Sequence, residues 1–277
     1  MKFTKMQGCG NDYVYVNCFE EKIDDRPELA RRVSNRNYGI GSDGLICICP
    51  SEKADFMMDM YNLDGSHSAM CGNGIRCVGK YVYDKGLTDK TEISVESGGK
   101  IKKLLLNVEN GAVKTVRVDM GEPELRTQFI PLAEHGKSFI NRSVIVVDEE
   151  YFITAVNVGN PHAVIFVKNV DAVEVDVLGP KIEKHPLFPE GTNTEFVQLV
   201  DSNTLKMRVW ERGSGETLAC GTGATASFVA ANLLGHVGDR ASVKLRGGEL
   251  LLEWDKKTNH VYMTGDAVIV FDGELYI

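Results

Sequence analysis

Two short stretches carry the residue types that do proton chemistry: Met70-Cys71-Gly72-Asn73-Gly74 and Ala219-Cys220-Gly221-Thr222-Gly223, with the cysteines 149 residues apart. Each reads as a cysteine delivered to a helix N-terminus. There the unpaired backbone N–H groups make a positive partial field that lowers a thiol's pKa from about 8.5 and creates an anion site beside it. Glycine lets a ligand approach that backbone closely. A carboxylate held by the N–H groups of Gly72-Asn73 and Gly221-Thr222 would set its α-carbon between two sulfurs. One thiolate then removes the α-proton of an amino acid while the opposite thiol returns a proton to the other face. Two helix dipoles stabilise the charge that develops on the carboxylate. Taken singly, either cysteine reads as a buried structural thiol. The pairing reverses that reading.

The elements that must position these cysteines are repeated with them. The same offset of 149 aligns Gly10-Asn11 with Gly159-Asn160, Met58 with Met207, Tyr61 with Trp210 and Gly98-Gly99 with Gly247-Gly248. The chain therefore reads as a duplicated unit, and two similar lobes facing across a pseudo-two-fold axis would bring both cysteines into one cleft. Strands bounded by Gly, Asn and Asp are expected at 13–16, 45–49, 56–61, 115–120, 144–147, 163–167, 196–199, 205–210 and 267–271. Helices are expected at 27–33, 74–84 and 223–234, the last two following the cysteines. Residues 224–231 are small and apolar nearly all round, which predicts a helix buried inside its domain. The halves meet near 120–123, a turn-rich stretch.

Composition narrows the class. The 277 residues are 43% hydrophobic and 25% charged, enough for two cores. A net charge of −8 without a basic cluster argues against nucleic acid or an acidic membrane as partner. The first eight residues turn polar and glycine-rich too early for a signal peptide, and no apolar run reaches membrane-spanning length, so a cytoplasmic location is expected. Seven cysteines without a CxxC pair fit neither a secreted disulfide framework nor a zinc or thioredoxin site, and Cys9, Cys18, Cys47, Cys49 and Cys77 read as small, reduced, buried hydrophobes. Gly39-Ile40-Gly41-Ser42-Asp43-Gly44 fits a dinucleotide fingerprint but precedes a strand, and is expected to be a turn. The run from Gly221 to Ala226 opens a helix, yet its repeat partner lacks the pattern and no acidic residue ends a following strand at the required distance. Neither cofactor nor metal is expected.

Several motifs, in order along the chain, resemble diaminopimelate epimerase: Gln7-Gly8-Cys9-Gly10-Asn11-Asp12, Tyr61-Asn62-Leu63-Asp64-Gly65-Ser66, the Cys71 stretch continued through Ile75-Arg76, Gly159-Asn160-Pro161-His162, Gly191-Thr192-Asn193-Thr194-Glu195-Phe196, and the long run from Glu211 to Gly223. The resemblance covers essentially the whole chain. It implies an α+β protein of two pseudo-symmetric domains, each a strand-rich, barrel-like layer around a central helix, with the active site in the cleft between them. The implied domains are 1–119 and 120–265, with a C-terminal strand at 266–277 returning to the first. It implies a homodimer and a cofactor-independent conversion of LL-2,6-diaminopimelate to the meso form, on the route to lysine and peptidoglycan.

Carried over by motif, Cys71 and Cys220 are the acid/base pair, and Gly72, Asn73, Gly221 and Thr222 hold the reacting carboxylate. Asn11, Asn62, Asn160, Asn193 and Arg212 match the family's substrate contacts, and amides suit a distal group with both ammonium and carboxylate. Glu211 is a further contact, and with His162 corresponds to residues that modulate the cysteine pKa values. Where some members carry Gln, this chain has Gly44, so that contact does not transfer. Two other readings stand beside this one. A proline or hydroxyproline racemase also uses two cysteines but usually has His at the position of Asn73. A redox or metal-binding module would predict a bridge or bound ion and no isomerase activity.

Overall fold

Alternating burial along the strands and nearly complete burial of two helices account for most of the architecture within residues 1–276, which the computed structural model describes. The residues fall into two units, Met1–Asp119 with the segment from Thr264 onward, and Met120–Met263.

The first unit runs β1 (Lys2–Gly8), β2 (Asn11–Asn17), α1 (Arg26–Ser34), β3 (Gly44–Cys49), β4 (Phe56–Asn62), β5 (His67–Ser68), α2 (Gly72–Asp84), β6 (Glu92–Ser97), β7 (Lys100–Glu109) and β8 (Ala112–Gly121). The strand β18 (Val268–Glu274) pairs antiparallel with β1. The Met1 ammonium donates to the Leu275 carbonyl at 2.9 Å, and the Leu275 N–H returns a bond to the Met1 carbonyl at 2.8 Å. From β1 the ladder continues antiparallel to β2, parallel to β3 and antiparallel to β4, which pairs with both β5 and β6. All of β3 is buried, as a parallel strand covered on both faces must be. Leu45, Cys47 and Cys49 share a core with Leu29, Ala30 and Val33 of α1, while Ile46 lies against α2.

The second unit repeats this order with β9 (Arg142–Val146), β10 (Glu149–Asn157), β11 (Pro161–Phe166), α3 (Val175–Glu183), β12 (Asn193–Asp201), β13 (Thr204–Glu211), β14 (Gly215–Thr217), α4 (Gly221–Leu233), β15 (Arg240–Lys244), β16 (Glu249–Asp255) and β17 (His260–Asp266). The duplication extends to register: Val14 faces Leu45 in the parallel pair β2–β3, and Ala163 faces Thr194 in β11–β12, each partner displaced by 149. Cys47 with Asp59 and Phe196 with Arg208 repeat the same shift. In the place of β18, β9 pairs with β10. The helix α4 packs against β10, β11, β12, β13, β15 and β16, and Gly223 through Ala231 are all buried. Its Phe228 and Val229 contribute about 1.5–3 kcal/mol each by leaving water.

Three features depart from the sequence reading. Both inner helices begin two residues earlier than expected, at Gly72 and Gly221, directly after the cysteines. The helix α3 was not foreseen, because Gly179-Pro180 reads as a break. Pro180 removes one N–H from the ladder, but a Cβ at Gly179 would overlap the Trp210 ring, so the glycine lets the helix seat on β13. Strands β1, β5–β7, β10 and β14–β17 also add to the expected set. Of the cysteines read as buried, Cys9, Cys47, Cys49 and Cys77 are buried and Cys18 is half-buried. No helix among the described residues is long and apolar enough to cross a membrane.

Candidate active site

In the first unit Cys71 caps α2. Its Sγ accepts from the Gly74 N–H at 3.2 Å and donates to Asn11 Oδ1 at 3.2 Å. A thiol is a weaker acceptor than the Ser, Asp or Asn usually favoured at this position, so the cap is not the reason for a cysteine. Asn11 opens β2 and is held by Asp43, whose Oδ2 accepts from Asn11 Nδ2 at 2.8 Å and from the Asp12 N–H at 3.1 Å. The Tyr13 phenol neighbours both Cys71 and Asn11, and its pKa is raised, chiefly by burial. Gly72 and Asn73 are buried in the first turn. The fully buried Arg76 braces that turn, donating to the Gly72 carbonyl at 3.1 Å and the Asp266 carbonyl at 3.0 Å. Asn62 ends β4, and its amide donates to Ser66 Oγ at 3.0 Å inside the turn to β5. At Gly44 a Cβ would overlap the Tyr61 carbonyl oxygen and lie 2.8 Å from the Tyr13 ring, so no side chain fits there.

In the second unit Cys220 caps α4, with the Gly223 N–H at 3.3 Å and Thr222 Oγ1 at 3.3 Å from its sulfur. Gly221 is buried and Thr222 half-buried. Glu211, the last residue of β13, accepts from the Thr217 hydroxyl and hydrogen-bonds the Cys220 thiol. Burial holds the Glu211 carboxyl above the usual range, and the nearby Glu195 adds to the shift. The imidazole of His162, on β11, is fully buried, with Nδ1 2.7 Å from Glu195 Oε1 and Nε2 2.8 Å from Asn160 Oδ1. Asn193 opens β12 and turns its amide to the backbone, donating to the Pro161 carbonyl at 2.8 Å and accepting from the Arg212 N–H at 3.0 Å. It thereby sets the turn that carries Arg212. The exposed Arg212 guanidinium donates to the Glu190 carbonyl at 2.9 Å.

One expectation is overturned. The helix terminus was expected to lower the thiol pKa, yet the Cys220 thiol is pushed well up, by burial first and then by the charges of Glu211 and Glu195. The magnitudes explain it: a helix terminus contributes about 0.3–1 kcal/mol, whereas burial moves a pKa by up to about 3–5 units, each about 1.4 kcal/mol. Sequence reasoning also passed over Glu195, Tyr13, Asp43, Arg76 and Thr217. The one local signal for Glu195 was an acid inside an apolar strand, between Thr194 and Phe196.

A duplicated, strand-rich α+β scaffold whose inner helices begin at half-related glycine motifs defines the structural class, and the same fold recurs in solved structures. One is a PhzF-family phenazine biosynthesis protein of Bacillus anthracis, at a TM-score of 0.72 and 16% identity, covering 100% of this chain and 99% of that one. Another is a hydroxyproline epimerase from Agrobacterium vitis, at a TM-score of 0.70 and 14% identity, covering 99% and 90%. The sequence is more specific. The diaminopimelate epimerase family profile matches residues 3–126 and 154–270. A diaminopimelate epimerase of Acetivibrio thermocellus is 56% identical over 275 residues, covering 99% of this chain and 98% of that protein, and one of Methanococcus maripaludis is 53% identical over 277 residues, covering 100% of both. This chain belongs to the diaminopimelate epimerase family.

Proposed function

We propose that this chain interconverts LL- and meso-2,6-diaminopimelate without a cofactor, by a two-base reaction in which Cys71 and Cys220 act on opposite faces of one α-carbon. The observation that carries the reading is that each cysteine occupies the N-cap of a buried-start helix, so each sulfur sits beside backbone N–H groups of the first turn. Backbone N–H groups at the start of a helix suit the carboxylate on which the carbanion's charge accumulates. In the first unit they belong to Gly72 and Asn73, in the second to Gly221 and Thr222.

The raised pKa of Cys220 favours the thiol, ready to deliver a proton. For Cys220 to act as base, its proton needs an acceptor. Glu211 hydrogen-bonds the thiol and has a raised proton affinity of its own, which fits it to that task. Asn11, held by Asp43, orients the Cys71 thiol. Arg212 supplies a planar fork for the distal carboxylate, and Asn62, Asn160 and Asn193 complete the amide set of the substrate pocket. The active form is a homodimer in the cytoplasm, serving lysine and peptidoglycan precursor synthesis.

Incubation in deuterated water tests the reading, with LL-diaminopimelate and L-proline compared in reducing buffer containing EDTA. Deuterium is expected at the α-carbon of diaminopimelate only, together with the meso isomer. Exchange into proline alone would transfer the chain to the racemase reading, and exchange into neither would remove both. Sedimentation should give twice the chain mass.

A further inference from the structure

The offset of 149 pairs the candidate-site residues of the second unit with residues of the first. Asn160 answers to Asn11, His162 to Tyr13, Glu211 to Asn62, and Glu195 to Ile46. The last pair occupies one place in the fold. A Cβ built on Gly74 would lie 2.7 Å from Ile46 Cδ1, and a Cβ built on Gly223 would lie 2.7 Å from Glu195 Oε1. Each side chain is the one against which the first turn of the inner helix seats, and one copy of the fold fills that place with a hydrocarbon. The scaffold therefore does not call for a carboxyl there.

Nevertheless Glu195 is fully buried. Its Oε1 holds His162 Nδ1 at 2.7 Å, and its Oε2 has no hydrogen-bond partner. A buried, half-satisfied acid is costly and calls for a reason. Glu195 Oε1 on Nδ1 and the Asn160 amide on Nε2 hold both ring nitrogens of His162 and so fix the ring.

We infer that Glu195 is a positioning residue which, from its seat against the first turn of α4, fixes the His162 ring through Nδ1 and presents a carboxyl to Cys220 and Glu211. The inference rests on the reading of Cys220 as an acid/base group. The titratable groups facing Cys220 are Glu211 of β13 and Glu195 of β12, with His162 of β11 behind Glu195. The sign follows from charge alone. The charge of Glu195 raises the proton affinity of the Cys220 thiol. Glutamine at 195 removes that charge and keeps the shape of the side chain. The neutral variant can thus only ease loss of the Cys220 proton.

The test is the pH dependence of iodoacetamide alkylation at Cys220 and Cys71, followed by peptide mass, in wild type, Glu195→Gln, Glu195→Ile and Glu195→Asp. In the Gln and Ile variants the Cys220 midpoint should fall by about one pH unit, a roughly tenfold gain in rate at a fixed pH below it. The Cys71 midpoint should stay where it is. Glu195→Asp, which keeps the charge, should stay closer to wild type. An unchanged Cys220 midpoint in both neutral variants, or equal shifts at both cysteines, overturns the proposal. So does failure of both neutral variants to fold, since the carboxyl would then serve the fold. In turnover, Glu195→Gln should lower kcat about tenfold or more with KM little changed. Were wild type itself inactive on diaminopimelate, the functional reading would fail while the alkylation midpoints still decided the role of Glu195.

Discussion

Cys71 and Cys220 occupy the same turn of the same helix in two copies of one fold, and what surrounds them is different. Around Cys71 stand an amide, a phenol and a hydrocarbon, from Asn11, Tyr13 and Ile46. Beside Cys220 stand Glu195 and, where the first unit has Asn62, Glu211, with His162 and Asn160 joined behind Glu195. The backbone of the cap is preserved and so is the thiol, with Gly74 and Gly223 N–H bonds of 3.2 and 3.3 Å. Duplication thus supplied two equal anion-facing helix ends, and the side chains on β2–β4 and β11–β13 made them unequal in charge. In the two-base reaction proposed above, one sulfur is protonated while the other is not, and that inequality favours one arrangement over its reverse.

The comparison breaks most sharply if the thiols are not equivalent in need. Cys71→Ala and Cys220→Ala should each lower epimerisation on the order of 10³–10⁴-fold, with circular dichroism unchanged, and one of them retaining α-proton exchange from a single stereoisomer. Full activity in either variant would end the two-base mechanism. Next in size is Glu211→Gln, which takes away the larger of the two carboxyl charges acting on Cys220. Its turnover should drop about 100-fold. The Cys220 alkylation midpoint should move down by about one pH unit, since an anion that held the proton on sulfur is gone. A midpoint that rises instead would reverse the electrostatic account.

Smaller effects sharpen the contrast between the units. Arg212→Lys keeps the charge and loses the fork. KM for diaminopimelate should rise about tenfold, as expected for one charge-assisted hydrogen bond, and equal steady-state kinetics would show that the distal carboxylate is read elsewhere. Last comes packing. The first unit pairs Ala30 with Tyr61 in one core, and the second pairs Gly179 with Trp210 at the same positions. Gly179→Ala should destabilise the protein by about 1–3 kcal/mol through overpacking, read as a lower urea midpoint. Adding Trp210→Tyr should recover part of that loss, and no recovery would mean the two cores are not interchangeable.

The sequence made the inner helices and the central strands visible, because 45–49 is a continuous apolar run and 224–231 is apolar all round. It hid β7, where Lys100, Lys102 and Lys103 mask the alternation that buries Leu104 and Leu106. The helix α3 was hidden by Gly179-Pro180, although the repeat points to it: α1 begins at Arg26 and α3 at Val175, 149 residues on. For the candidate site, the cysteines and asparagines were legible as motif residues. Their electrostatics were not. Whether a helix terminus or burial governs a thiol depends on what tertiary packing puts around it, and Glu195 reaches Cys220 from a strand 25 residues away in sequence. The backbone use of Asn193 was equally invisible, since an asparagine at the start of a strand reads the same whether it binds a ligand or a loop.

The return of β18 to β1 fixes an order of events during synthesis. Every residue of the second unit has been made once Met263 is translated, whereas the sheet of the first unit waits for Val268–Glu274. The half encoded first is completed last. Joining Met1 to Leu275 spans 274 residues, a loop whose closure costs about 5 kcal/mol in chain entropy, and a folded second unit shortens the flexible part of that loop. Until β18 arrives, β1 presents an open edge to any neighbouring chain.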